Sequence, residues 1–130
     1  MRRRDERGAA VVEFALILPI LVMFVFGIVE FGRAYNARIE LTAAVREGAR
    51  AAAVADPSDD PLATEAATNA TINGARGLTP PLTPAQVSVI TCGPSTNAEV
   101  TTTYPFKYDI PFVGTFAKDL TATGVFRCGG

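Results

Sequence analysis

The chain of 130 residues contains no histidine and no tryptophan, and only two cysteines, Cys92 and Cys128. Without histidine it lacks the commonest general base and the commonest transition-metal ligand. Two thiols are too few for a thiolate zinc site. No nucleophile stands beside a base in a catalytic motif, so a membrane-anchored enzyme is the least favoured class, and neither a cofactor nor a small-molecule substrate is expected. A formal net charge of -1 leaves no electrostatic footprint for nucleic acid. What the chain has in abundance is apolar sequence, concentrated in its first 30 residues.

Phe14 to Val29 (FALILPILVMFVFGIV) contains no charged or strongly polar side chain. Extended back to Ala9, the run is interrupted only by Glu13. As a helix it would be about 31 Å long, close to the hydrocarbon thickness of a bilayer. It lacks the polar stripe of a helix buried in a soluble domain. The head carries Arg2, Arg3, Arg4 and Arg7 against Asp5 and Glu6, and positive flanks stay cytoplasmic. The expected layout is therefore a basic cytoplasmic leader over 1–8 and a transmembrane helix over 9–29, with the remainder outside the cell membrane. Pro19 lies within the span, where membrane helices tolerate it. A cleaved secretory signal fits less well, because its apolar core is shorter and a small-x-small cleavage site follows soon after. Here the first convincing one is Ala51–Ala53.

Beyond Val29 the chain is rich in alanine and has no proline before Pro57, so the helix should continue outside the membrane over 30–55. Phe31, Tyr35 and Ile39 recur at helical spacing, and Leu41, Val45 and Ala52 are expected to continue the same apolar face. Glu30 with Arg33 and Glu47 with Arg50 read as pairs on a solvated face. Ala44, Gly48 and Ala52 form a small-xxx-small row that lets another backbone approach. The prolines and aspartates of 56–61 (DPSDDP) form a linker and supply a cap. They lack the alternating spacing of a calcium loop.

The final unit, 62–130, should be a small α+β domain. Leu62 to Ala75 reads as a short second helix ending near Gly74 or Gly77. The pattern then becomes alternating. Gln86–Cys92 is the first expected strand. In the second, Val100, Thr102, Tyr104, Phe106, Tyr108 and Ile110 share one face, and Pro105 marks an edge or a bulge. Asp119–Cys128 is the third, completing a small antiparallel sheet. So little structure buries little surface. If the domain is exported, a Cys92–Cys128 disulfide is the expected staple, contributing about 4 kcal/mol on the chain-entropy model. Two buried free thiols are the alternative.

The opening run RGAAVVEF, with Gly8 ahead of Glu13 and Phe14 and then an apolar helix, resembles a type IV prepilin leader. Several further pieces match one family within that superfamily: Leu18-Pro19, Glu-Phe-Gly-Arg at 30–33 and Arg-Glu-Gly-Ala-Arg at 46–50. With them the run resembles the TadE-like family of the tight-adherence (Tad, or Flp) pilus system. The likeness is dense over 7–53 and thin beyond, where Val100–Phe106 (VTTTYPF) looks like the family's strand. The resemblance implies a pilin-like fold. It implies a prepilin peptidase cutting between Gly8 and Ala9, which would leave Glu13 as the fifth residue of the mature chain. The system's major pilins are much shorter, so it further implies a minor pilin or pseudopilin whose partners are other pilin-like subunits and the pilus assembly complex.

Physical chemistry gives Glu13 a use alongside that resemblance. A charge at the bilayer centre costs about 2.5–3.5 kcal/mol, and one nearer the boundary costs less. Cleavage would create an ammonium group at Ala9, one helical turn from Glu13. That amine, or a neighbour's, could neutralise the carboxylate and set axial register as helices bundle. The competing expectation is an uncleaved single-span anchor with an outer partner-binding or adhesin-like domain.

Overall fold

The computed structural model describes residues 2–55, 59–94 and 96–128, with side chains from residue 6 onward. One helix, α1 (Arg2–Val54), runs through the leader, the apolar segment and the alanine-rich stretch without a break. It begins ahead of the expected Ala9 start, because nothing between Arg2 and Gly8 forbids helix. Pro19 lies inside it, and the proline ring removes only the bond that would reach the Ala15 carbonyl.

Of the expected linker, Asp56, Pro57 and Ser58 lie outside the described residues. The second helix, α2 (Asp60–Gly74), starts two residues before Leu62. Asp59 supplies the reason: its carboxylate accepts from the Leu62 amide at 3.1 Å, and Pro61 suits the first turn, where no amide is needed. Asp60 accepts from the Thr91 hydroxyl. Both aspartates therefore cap or tether within the fold.

After a 3₁₀ turn at Pro84–Gln86 come β1 (Val87–Ile90), β2 (Ala98–Ile110) and β3 (Gly114–Phe126). They pair antiparallel in the order β1-β2-β3. The β2–β3 ladder is unbroken from Ala98↔Phe126 to Ile110↔Gly114, so Pro105 sits at no bulge. β1 reaches only as far as Thr102, which leaves Pro105 in a half of β2 that has β3 alone beside it. A missing donor is tolerated there. On β2 the alternation is as expected: Val100, Thr102, Tyr104, Phe106 and Tyr108 are buried, while Thr103, Pro105, Lys107 and Asp109 are exposed. β3 starts five residues before the expected Asp119. Its early part, Gly-Thr-Phe-Ala-Lys, is exposed on both faces and carries no alternation to read.

The outer half of α1 is covered by α2 on one side and by β2 and β3 on the other. Its buried row is Ala34, Ala37, Leu41, Ala44, Val45, Ala49 and Ala52, at the three-four spacing that keeps one stripe inward. Phe31, Tyr35 and Ile39 do not belong to it. They are 69%, 69% and 53% exposed, on a different face from Leu41, Val45 and Ala52. The single apolar face expected from the sequence is thus two faces. The small-residue row has a partner within the chain. A Cβ at Gly48 would stand 3.0 Å from the Ala67 carbonyl of α2, and one at Gly74 would stand 3.0 Å from Ala44 Cα. On the sheet side, a Cβ at Gly124 would stand 2.5 Å from the Val45 carbonyl oxygen and 2.8 Å from the Arg46 amide. β3 therefore lies directly on the helix backbone.

Candidate functional site

The features that point to function lie along α1, and the structure separates them into an uncovered half and a covered half. Gly8, Ala9, Glu13 and Phe14 are all on exposed helix, away from α2 and the sheet. A Cβ at Gly8 would meet nothing within 4 Å. From Val11 to Val29 the large apolar side chains point outward, among them Leu16 at 70% and Ile28 at 72% exposure. Among the described residues this is the one helix long and apolar enough to cross a membrane, and none of that window is buried against the rest of the fold.

Where the apolar segment ends, Glu30 takes a part that charge spacing alone did not reveal. It is buried. One carboxylate oxygen accepts from the Arg33 guanidinium at 2.7 Å, and the other accepts from the Asp109 amide at 3.3 Å. The expected solvated pair is in fact a clamp holding the far end of the hairpin to α1. The Glu47–Arg50 pair, with 3.9 Å between charges and both side chains mostly exposed, does conform to the solvated reading. Beside the clamp, Arg33 lies 5.6 Å from the centre of the Phe106 ring. Phe106 meets Tyr108 edge-on, and Tyr108 stacks on Phe116, each with centroids 4.9 Å apart. Phe31 closes the cluster at 6.2 Å from Tyr108.

An open cleft of about 480 Å³ adjoins this cluster, lined in part by Arg33, Asn36, Glu40, Gly77 and Tyr104. Glu40 accepts from the Gly77 amide, and the Tyr104 hydroxyl donates to the Pro80 carbonyl at 2.7 Å. Burial pushes the Tyr104 hydroxyl above its ordinary pKa, with Arg33 opposing and Glu40 adding to the rise. These polar groups are engaged in tying the 75–82 segment to α1 and β2. Among the described residues, no three acidic or thiol side chains gather as metal ligands would.

At the opposite end of the sheet, Cys92 and Cys128 are joined, with Cα atoms 5.8 Å apart. The bridge links the ends of β1 and β3 across the start of β2, closing a sequence separation of 36 residues.

Residues 8–50 match the family model described as TadE-like protein. The match starts at Gly8 and takes in the apolar segment, Glu30 to Arg33, and the helix up to Arg50. No curated protein and no solved structure matches the chain. An uncovered apolar helix within that match, leading into a small α+β domain, fits a Tad-associated, pilin-like membrane protein with a single pass.

Proposed function

We propose that this chain is a minor pilin or pseudopilin of a Tad-type pilus and a substrate of a prepilin peptidase, not an enzyme itself. Residues 9–29 hold it in the cell membrane with the leader cytoplasmic and the α+β domain outside. Its partners are other pilin-like subunits and the pilus assembly complex. The observation that carries this reading is the coincidence of the TadE-like match over 8–50 with a helix whose inner half is wholly uncovered. Such a helix needs lipid, or other helices in place of lipid. The exposed residues Tyr35 and Ile39 extend that surface beyond the membrane boundary, where a protein neighbour could cover them.

Gly8 suits a cut between Gly8 and Ala9, because glycine weakens a helix by about 1 kcal/mol relative to alanine and so eases local unwinding. After the cut, the Ala9 ammonium and Glu13 would form the register pair. The second reading, an uncleaved anchor with a partner-binding or adhesin-like outer domain, draws support from the unbroken helix across the Gly8–Ala9 bond.

The mature N-terminus, determined with and without a prepilin-type peptidase, tests the proposal. Ala9 as the N-terminus only when the peptidase is present is the expected result. Met1 or Arg2 under both conditions would favour the anchor. Because Gly8 touches nothing, a bulky substitution there should block processing and leave folding intact. Glu13→Ala should leave insertion unchanged and reduce incorporation into the pilus or its assembly complex.

A further inference from the structure

Between Asp109 and Lys118 the chain carries an uncharged run, Ile110 to Ala117 (IPFVGTFA), which forms the turn of the β2–β3 hairpin and the strand ends beside it. Phe112 is 80% exposed and Val113 59%. Phe112 also has a φ of 67°, a left-handed conformation that turns ordinarily give to glycine or asparagine. A turn facing water would place a small polar residue there. This one directs a phenylalanine outward.

The direction of the hairpin decides what that phenylalanine meets. Gly124 packs on Val45 of α1, while Asp109, near the tip, reaches Glu30. The hairpin therefore runs along α1 toward its apolar half. Glu30 and Val45 lie roughly 22 Å apart along the helix, so the hairpin is tilted only moderately from the helix axis. Beyond Asp109 the turn advances about 5–7 Å further along that axis, at ~3.3 Å per strand residue. This brings the tip level with Val25 to Gly27, inside the apolar segment. Just above it sit the Glu30–Arg33 ion pair and the ring cluster of Phe31, Tyr108 and Phe116. Aromatic side chains, tyrosine among them, gather with charged groups at the boundary between bilayer and water.

We infer that the hairpin tip, Pro111-Phe112-Val113, enters the outer interfacial layer of the bilayer that α1 crosses, with lipid as its occupant. The outer domain then has a second membrane contact beside its helix. This inference rests on reading 9–29 as a membrane span.

The absence of tryptophan allows a direct test, because Phe112→Trp introduces a sole indole. The full chain is reconstituted in phosphatidylcholine–phosphatidylglycerol vesicles containing doxyl-labelled lipids. Blue-shifted emission is expected, with quenching by shallow lipid labels several-fold stronger than by acrylamide. Val113→Trp should behave alike and covers the case in which the first variant misfolds. Thr121→Trp, exposed higher on β3, should emit as in water. Phe24→Trp reports on the span itself. Water-like emission at 112 and 113 with lipid quenching at 24 would overturn the hairpin inference and leave the span standing. Water-like emission at 24 would overturn both. A blue shift at 112 that lipid labels fail to quench and that grows with protein density would mean a protein partner covers the tip, which overturns the assignment to lipid.

Discussion

The two halves of α1 use hydrophobic residues in opposite ways. In the inner half the large side chains, such as Leu16, Phe24 and Ile28, all face outward and none is buried against the fold. In the outer half the buried positions are mostly alanines, and the large residues Phe31, Tyr35 and Ile39 remain outside. Lipid accommodates bulk on every side, so the inner half selects only for being apolar. α2 and β3 approach the helix at backbone distance, so the outer half selects for being small. Apolarity in the same helix therefore reports a solvent in one half and a fit in the other.

The largest test of that contrast is the staple of the outer domain, since the inner half needs none. Cys92→Ser or Cys128→Ser should cost about 4 kcal/mol through the loop it opens. Denaturant unfolding of the detergent-solubilised chain would show a lowered midpoint for sheet signals while the helical signal of the inner half persists. Next comes fit. Gly124→Ala would press a methyl group into the Val45–Arg46 backbone and should cost about 3 kcal/mol, at the upper end for overpacking. Gly27→Ala, where a Cβ meets nothing within 4 Å, should cost nothing by the same assay. Equal effects at Gly124 and Gly27 would erase the distinction between the halves.

The boundary between them can be probed at Glu30. Glu30→Ala should cost about 1–3 kcal/mol by removing the charged acceptor shared by the Asp109 amide and Arg33, and should speed hydrogen exchange at the Asp109 amide. Glu47→Ala, in the solvent-exposed pair, should stay within about 0.5 kcal/mol. The smallest effect is expected at Tyr104. Its folded pKa is raised, so the unfolded state releases the proton first once pH passes about 10. Stability should be unaffected below that pH and fall above it, and Tyr104→Phe should flatten the fall.

Much of this was legible in the sequence, for reasons that differ by element. The β2 face could be read residue by residue because Val100 to Tyr108 alternates against a helix that buries one side. The apolar run from Phe14 to Val29 needed only its length and lack of charge. Helical periodicity, however, finds apolar rows without saying which one meets protein, so it groups Tyr35 with Leu41 although one is exposed and the other buried. The role of Glu30 rests on an amide 79 residues away, a pairing that no local pattern encodes. The start of β3 was hidden because its first residues, near the tip, are covered on neither face. At the candidate processing site, the motif around Gly8 is legible in the sequence, while the helix it sits on is uncovered and makes no contact in the fold that bears on processing.

The unbroken helix from Arg2 to Val54 has a mechanical consequence. With no hinge where the apolar half ends, it acts as a stiff lever whose outer arm is about 37 Å long at 1.5 Å per residue. A tilt of about 20°, ordinary for a membrane helix, would swing the far end of that arm by roughly 13 Å. Any neighbour that reorients the inner half therefore moves the disulfide-bridged end of the domain by more than the width of a helix.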